Sequence, residues 1–166
     1  GAGARFHVTG LAHGAEGFAV TDEAAGRELK RMMAKIHDHV AELSLFDRYK
    51  LEDATVAIVS YGITSRPAQS AVEMLRSRGI KAGLLSIKTL WPFPDQLVRD
   101  LAEQVDRIIV PELNMGQVVR EVERAAGGRC EVVPVNRVDG HLMTPAQILE
   151  LGMASAPRAS AGVTAS

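Results

Sequence analysis

The chain has 166 residues, of which 46% are hydrophobic, and 19 basic against 20 acidic side chains leave a formal net charge of -1. That size and hydrophobic content suit one globular domain with an ordinary core and room for an appended arm, and exclude a disordered chain. Balanced charge argues against a nucleic-acid binder, which would show a basic excess or stripe. No apolar run reaches the roughly 20 residues that span a bilayer.

Residues 1–21 contain five glycines and no sustained period, and read as an extended arm or interdomain linker. Asp22 or Thr21 can cap a helix, with Asp22 and Glu23 favourable at the positive end of its dipole. Ala25, Leu29, Met32, Met33, Ile36, Val40 and Leu43 then recur at three- and four-residue steps, which predicts one long amphipathic helix over 22–46. Such a stripe needs a surface to cover, in its own domain or on a partner.

From residue 55 the pattern changes to alternating strands and helices, and an α/β domain is expected over 47–151. Thr55–Ser60 is a β-branched run, followed by a helix from about Ser65 to Arg78 with Ala68, Ala71, Val72 and Leu75 inward. Ile80–Ile87 reads as the next strand. The loop Trp91-Pro92-Phe93-Pro94 follows, too constrained for helix or central strand, and Pro94 suits the first position of a helix running to about Gln104. Asp106–Pro111 is a strand, Met115–Ala126 a helix and Glu131–Asn136 a last strand, which Pro134 places at a sheet edge. Thr144 and Pro145 start a short final helix as cap and first residue. Residues 152–166 are small and polar and read as a disordered tail. Arg48–Glu52 is a candidate antiparallel edge strand. The alternation predicts a three-layer α/β/α fold, with a mostly parallel sheet of about five strands and right-handed crossovers.

Ligands of open α/β sheets bind beyond the carboxyl ends of the strands. Four loops lie there: Tyr61-Gly62-Ile63-Thr64-Ser65-Arg66, the loop at Trp91–Pro94, Glu112–Gln117, and Asp139-Gly140-His141. Gly62, Thr64, Ser65 and Arg66 at a helix start resemble an anion nest, although the plainer reading is that Thr64 or Ser65 caps the helix and Arg66 is solvated. Trp91 and Phe93 are apolar surface for packing in the core or at an interface. Glu112 ends a strand, where catalytic carboxylates often sit, and His141 is the only second titratable partner in the loops. The plainer reading has Glu112 accepting N–H bonds from its own loop, in which Asn114 and Gly116 allow a sharp turn and Gln117 opens the helix. Ser60, Ser65 and Ser86 lack the context of a hydrolase nucleophile. One cysteine, Cys130, can hold neither an internal disulfide nor an iron–sulfur cluster by itself, and fits a reducing cytoplasm. The residues alone contain no complete catalytic constellation, metal site or cofactor site. A small regulatory or nucleotide-binding module using Gly62–Arg66 is the alternative function they allow.

The order YGITSR…AVEMLRSRGIKAGLLSIKTLWPFP…DRIIVPELNMGQVVREVERA…VNRVDGHLMTPAQILE resembles the C-terminal part of the α subunit of 2-oxoacid:ferredoxin oxidoreductases, particularly the 2-oxoglutarate type. The resemblance extends from residue 6 to about 150, and Val8–His13 with Gly17 is similar to that subunit's interdomain segment. The family usually has an acidic residue after the histidine, where this chain has Gly14 and Ala15. The resemblance implies a transketolase C-terminal-like fold with one antiparallel edge strand, inside an enzyme that oxidatively decarboxylates a 2-oxoacid with coenzyme A and passes electrons to ferredoxin. It implies thiamine diphosphate and Mg held by the α subunit's N-terminal domain and the β subunit, and an iron–sulfur cluster outside this region. This chain would then be a fragment without catalytic residues, whose strand-end loops brace the thiamine domain or a neighbouring subunit of an oligomer. The opening Gly-Ala-Gly-Ala without methionine agrees with a fragment.

Overall fold

The structure, a computed structural model, describes residues 23–154. The expected arm over 1–21, the capping pair Thr21 and Asp22, and positions 155–166 of the expected tail lie outside the described residues. The chain divides into two compact units, Gly1–Leu43 and Ser44–Ser166.

In the first unit, the helix expected over 22–46 is shorter and interrupted. Helix α1 spans Glu23–His37 and α2 only Val40–Leu43. A turn at Asp38–His39 separates them, with Asp38 N–H donating to Ala34 O at 2.8 Å and His39 N–H to Ile36 O at 3.1 Å. Lys35 and His37 suit the negative end of α1, whereas an acidic Asp38 does not extend it. Leu29, Met32 and Met33 of the expected stripe are exposed.

The second unit contains β1 (Phe46–Tyr49), β2 (Val56–Tyr61), a 3-10 turn over Gly62–Thr64, α3 (Ser65–Ser77), β3 (Ala82–Ile87), α4 (Asp95–Gln104), β4 (Arg107–Glu112), α5 (Val118–Ala126), β5 (Glu131–Asn136) and α6 (Pro145–Met153). It begins before residue 47 because Leu45 is already tied to the sheet: its carbonyl accepts from Lys88 N–H at 2.8 Å and its N–H donates to Thr89 Oγ1 at 3.2 Å. Helix α6 continues through Gly152 and Met153, past the expected start of the tail. The edge strand expected at Arg48–Glu52 sits earlier, at Phe46–Tyr49, and pairs antiparallel with β3.

The strands lie in the order β1-β3-β2-β4-β5, with all but β1 parallel. Core strands β2 and β3 are buried along nearly their whole length, as a sheet covered on both faces requires. Strand β5 alternates exposed and buried positions and carries Pro134 at the sheet edge, where a missing N–H leaves no inner ladder bond unmade. On one face Val59, Leu85, Ile108 and Val110 pack under Val98 and Leu101 of α4 and Val119 and Val122 of α5. On the other, Ile58, Leu84, Ile109 and Val135 pack under Val72 and Leu75 of α3 and Ile148 and Leu149 of α6. Thr144 caps α6 through a reciprocal box with Gln147, at 3.2 and 3.0 Å.

Two features of this layout position the functional end. The chain leaves β2 for β3 on one side, then crosses to β4 on the other, so the topological switch lies between β2 and β4. Their ladder runs only from Val56↔Arg107 to Ile58↔Ile109, whereas β2–β3 and β4–β5 stay paired to Tyr61↔Ile87 and Glu112↔Asn136. The middle of the sheet therefore opens at its carboxyl end.

The link from β1 to β2 passes against β3 at Gly83, where an added Cβ would lie 2.6 Å from Lys50 O and 2.9 Å from Leu51 Cα. Because both of these atoms are backbone, there is no cheap relief. Gly83→Ala is expected to destabilise the domain by about 1–3 kcal/mol of overpacking in urea unfolding, and an unchanged midpoint would contradict this close approach.

Candidate functional site

The centre of the carboxyl end is built by the last residue of β4. Glu112 is fully buried, a position where a carboxylate persists only with hydrogen bonds or a charge partner. Its Oε2 accepts from Gln117 N–H at 3.2 Å and Val118 N–H at 2.8 Å, and its Oε1 from Val119 N–H at 2.8 Å. These are the free donors at the start of α5, where the helix dipole also favours a negative charge. The plainer sequence reading of Glu112 is thus the observed one. Gln117 does not open the helix as expected. It is the N-cap, because the helix can begin only where the carboxylate meets consecutive N–H groups.

Asn114 completes the turn. Its Oδ1 accepts from Gly116 N–H at 2.7 Å and Gln117 N–H at 3.0 Å, and its Nδ2 donates to the Tyr61 hydroxyl at 2.8 Å. Gly116 has φ +92°, and an added Cβ would meet Asn136 Nδ2 and Val119 Cγ1, each at 3.1 Å. The Asn114–Tyr61 bond bridges the two strands where their ladder has stopped. Burial, followed by the negative charge of Glu112, holds the Tyr61 phenol above its ordinary range, and the Asn114 bond partly offsets this.

The Gly62–Arg66 loop is a weaker anion nest than its composition suggests. Gly62 takes φ +56°, but the 3-10 turn consumes the Ser65 N–H on Gly62 O, and Pro67 has no N–H to offer. Neither hydroxyl caps α3: Thr64 Oγ1 donates to Tyr61 O at 2.7 Å, and Ser65 Oγ accepts from Ser60 at 3.0 Å and from Ser86 at 2.8 Å. That three-hydroxyl cluster was not legible as a group in the sequence. Ser60 and Ser86 are register partners, which becomes visible only once β2 and β3 are known to pair.

In the loop after β3, Trp91 and Phe93 have different environments. Phe93 packs against the core under α4, whereas Trp91 is 62% exposed. Pro94 is the N-cap of α4, one position before the expected place, and the Trp91–Pro92 bond is cis. The loops after β3 and β4 share one end of the sheet but are not immediate neighbours, since β2 lies between their strands.

Asp139 and His141 form a separate surface group. Asp139 accepts from Arg137 at 2.6 and 2.9 Å, and from His141 N–H at 3.1 Å. The Arg137 bonds, then the His141 N–H, hold the Asp139 carboxyl well below the usual carboxylate range. Arg137 also reaches Leu142 O at 3.2 Å and Gln147 Oε1 at 3.1 Å, so it holds the loop between β5 and α6, a role the sequence did not single out. No hydrogen bond joins Glu112 to His141: the carboxylate is buried in α5's N-terminus and the imidazole is exposed. The structure does not bring them together as an acid–base pair.

Residues 54–148 match the family described as pyruvate:ferredoxin oxidoreductase core domain II. The chain is 39% identical over 153 residues to the 2-oxoglutarate synthase subunit KorA of Methanothermobacter thermautotrophicus, covering 91% of this chain and 41% of that protein. It is 43% identical over 104 residues to the ketoisovalerate oxidoreductase subunit VorB of Methanothermobacter marburgensis, covering 63% of this chain and 29% of that protein. The chain thus spans 40–41% of the length of the 2-oxoglutarate synthase subunits it matches. A solved 2-oxoglutarate:ferredoxin oxidoreductase from Magnetococcus marinus has the same fold, with a TM-score of 0.68 at 24% identity over 89% of this chain and 26% of that one.

Glu112→Ala leaves α5's first donors buried without an acceptor. It should cost about 3 kcal/mol or more in urea unfolding and speed amide exchange at 117–119, with Glu112→Gln in between because one oxygen remains. Loss under 1 kcal/mol for the alanine variant would show that the cap is not structural. Tyr61 gives a pH signature. A folded pKa raised above the unfolded value of about 10 means its contribution is complete below that pH and is lost as pH rises through the folded value. Absorbance at 295 nm should therefore show one of the two tyrosines titrating late, and Tyr61→Phe should abolish that late step.

Proposed function

Since this chain belongs to the pyruvate:ferredoxin oxidoreductase core domain II family, we propose that it is the assembly domain of the α subunit of a 2-oxoacid:ferredoxin oxidoreductase, the 2-oxoglutarate type being favoured. The parent enzyme would oxidatively decarboxylate a 2-oxoacid to its acyl-CoA and pass electrons to ferredoxin in the cytoplasm. The curated relatives are named as subunits of 2-oxoglutarate synthase, ketoisovalerate oxidoreductase and 2-oxoacid:ferredoxin oxidoreductase, which supports a multi-subunit parent. On this reading the partners of the domain are the thiamine-binding domain and the β subunit, and ferredoxin meets the complex elsewhere.

One observation carries the assembly role. Every loop at the carboxyl end of the parallel strands exposes a large apolar side chain: Ile63 after β2, Leu90 and Trp91 after β3, Met115 after β4, and Val138 and Leu142 after β5. In the loop after β4, Glu112 and Asn114 are turned inward to hold backbone N–H groups. Rigid loops with apolar tips suit a surface to be covered by protein. With one cysteine the chain cannot supply the thiolates of an iron–sulfur cluster. Among the described residues no three His, Cys, Asp or Glu side chains gather as metal ligands.

Isothermal titration of the chain with thiamine diphosphate and Mg should give no binding heat; saturable micromolar binding would overturn the non-catalytic assignment. Trp91→Ala in the whole enzyme should weaken subunit association more than it lowers the melting temperature of this domain. The opposite order would make Trp91 a stabilising residue of the domain itself.

A further inference from the structure

Two helices start beside the gap between β2 and β4, and their N-termini are treated differently. That of α5 is filled by Glu112. That of α3 has no side-chain cap, its flanking hydroxyls are bonded elsewhere, and Pro67 removes one backbone donor. The positive charge there is the exposed Arg66 guanidinium, which has no hydrogen bond or ion pair among the described residues. Arg66 lines a hollow of about 210 Å³ whose walls are Ile63, Pro67, Leu113, Leu142 and Met143. Thr64 also borders it, but the Thr64 hydroxyl proton is committed to Tyr61 O. These residues come from the loops after β2, β4 and β5, so the hollow occupies the crevice at the topological switch, on the α3 and α6 side.

We propose that this hollow is a binding site for a small monocarboxylic acid with an apolar tail, the carboxylate paired with Arg66 and the tail seated among Pro67, Leu113 and Met143. A guanidinium offers two parallel N–H bonds to a carboxylate, the strongest pairing available to it. The walls gain by removing an alkyl chain from water. No second cation lines the hollow, so a dicarboxylate would leave its other charge against apolar walls. The volume is below the roughly 300 Å³ at which drug-sized pockets begin, too small for a nucleotide. Ile63 and Leu142 belong both to these walls and to the loop tips assigned to contact, so the inference concerns the chain before a partner covers them.

The test is a ¹⁵N amide-shift titration of the 166-residue chain with hexanoate, with 1-hexanol (tail without charge), acetate (charge without tail) and glutarate. Hexanoate should shift amides at 62–67, 113 and 142–143 saturably, and the other probes should bind at least tenfold more weakly. Arg66→Gln should weaken hexanoate at least tenfold while leaving the remaining spectrum in place, since Arg66 holds no other described group. Absence of saturation by about 10 mM, equal affinity for hexanol, or an unchanged constant in the Arg66→Gln protein would each overturn the site. Because thiamine diphosphate and Trp91 play no part in this titration, its failure leaves the assembly role untouched.

Discussion

The carboxyl end of this sheet depends on one buried charge, the Glu112 carboxylate on the first N–H groups of α5. An isolated carboxylate in that position would be strongly unfavourable. It is held because its hydrogen bonds are charge-assisted and because the helix terminus carries partial positive charge. The interaction locks the last residue of β4 to the first turn of the helix that follows. Asn114, two residues on, takes the neighbouring N–H groups and with its amide reaches across to Tyr61. A strand, a helix and the adjoining strand are thus joined through one short loop, at the place where the β2–β4 ladder has stopped.

That arrangement has a chemical consequence. Helix N-termini at a switch point are ready anion sites, and in many α/β proteins a ligand phosphate fills them. Here α5 carries its own anion in that position, and the Glu112 oxygens occupy its first N–H donors. What remains at the open end is apolar loop tips and the Arg66 guanidinium beside a hollow.

Much of this could be read before the fold was known, and the failures share a cause. Strand and helix alternation, the cap at Thr144 and the edge position of Pro134 are local, and each sits where expected. Helix α5 starts later than its apolar pattern suggests because the Glu112 carboxylate, not propensity, sets its first turn. Trp91 and Phe93 are both aromatic and two residues apart, yet Trp91 is exposed and Phe93 is partly buried against the core. Alternation within a loop of prolines carries no period from which to choose between them. The long helix failed at Asp38–His39, where an apolar stripe continues in sequence although the backbone turns.

The amino-acid sequence by itself determined the class of fold, the order of its elements and the likeness to its family, because periodicity, capping residues and turn residues act over a few neighbouring positions. It also contained the E-x-N-x-G-Q spacing that makes the α5 cap, since donor and acceptor there lie within seven residues. Only the tertiary structure decided what meets across the sheet: Asn114 with Tyr61, Ser60 with Ser86 and Ser65, and Arg66 with the walls of Leu113 and Met143. Those meetings depend on strand order and register, which place residues tens of positions apart at one end of the sheet. Nothing in the local pattern of either partner specifies the other.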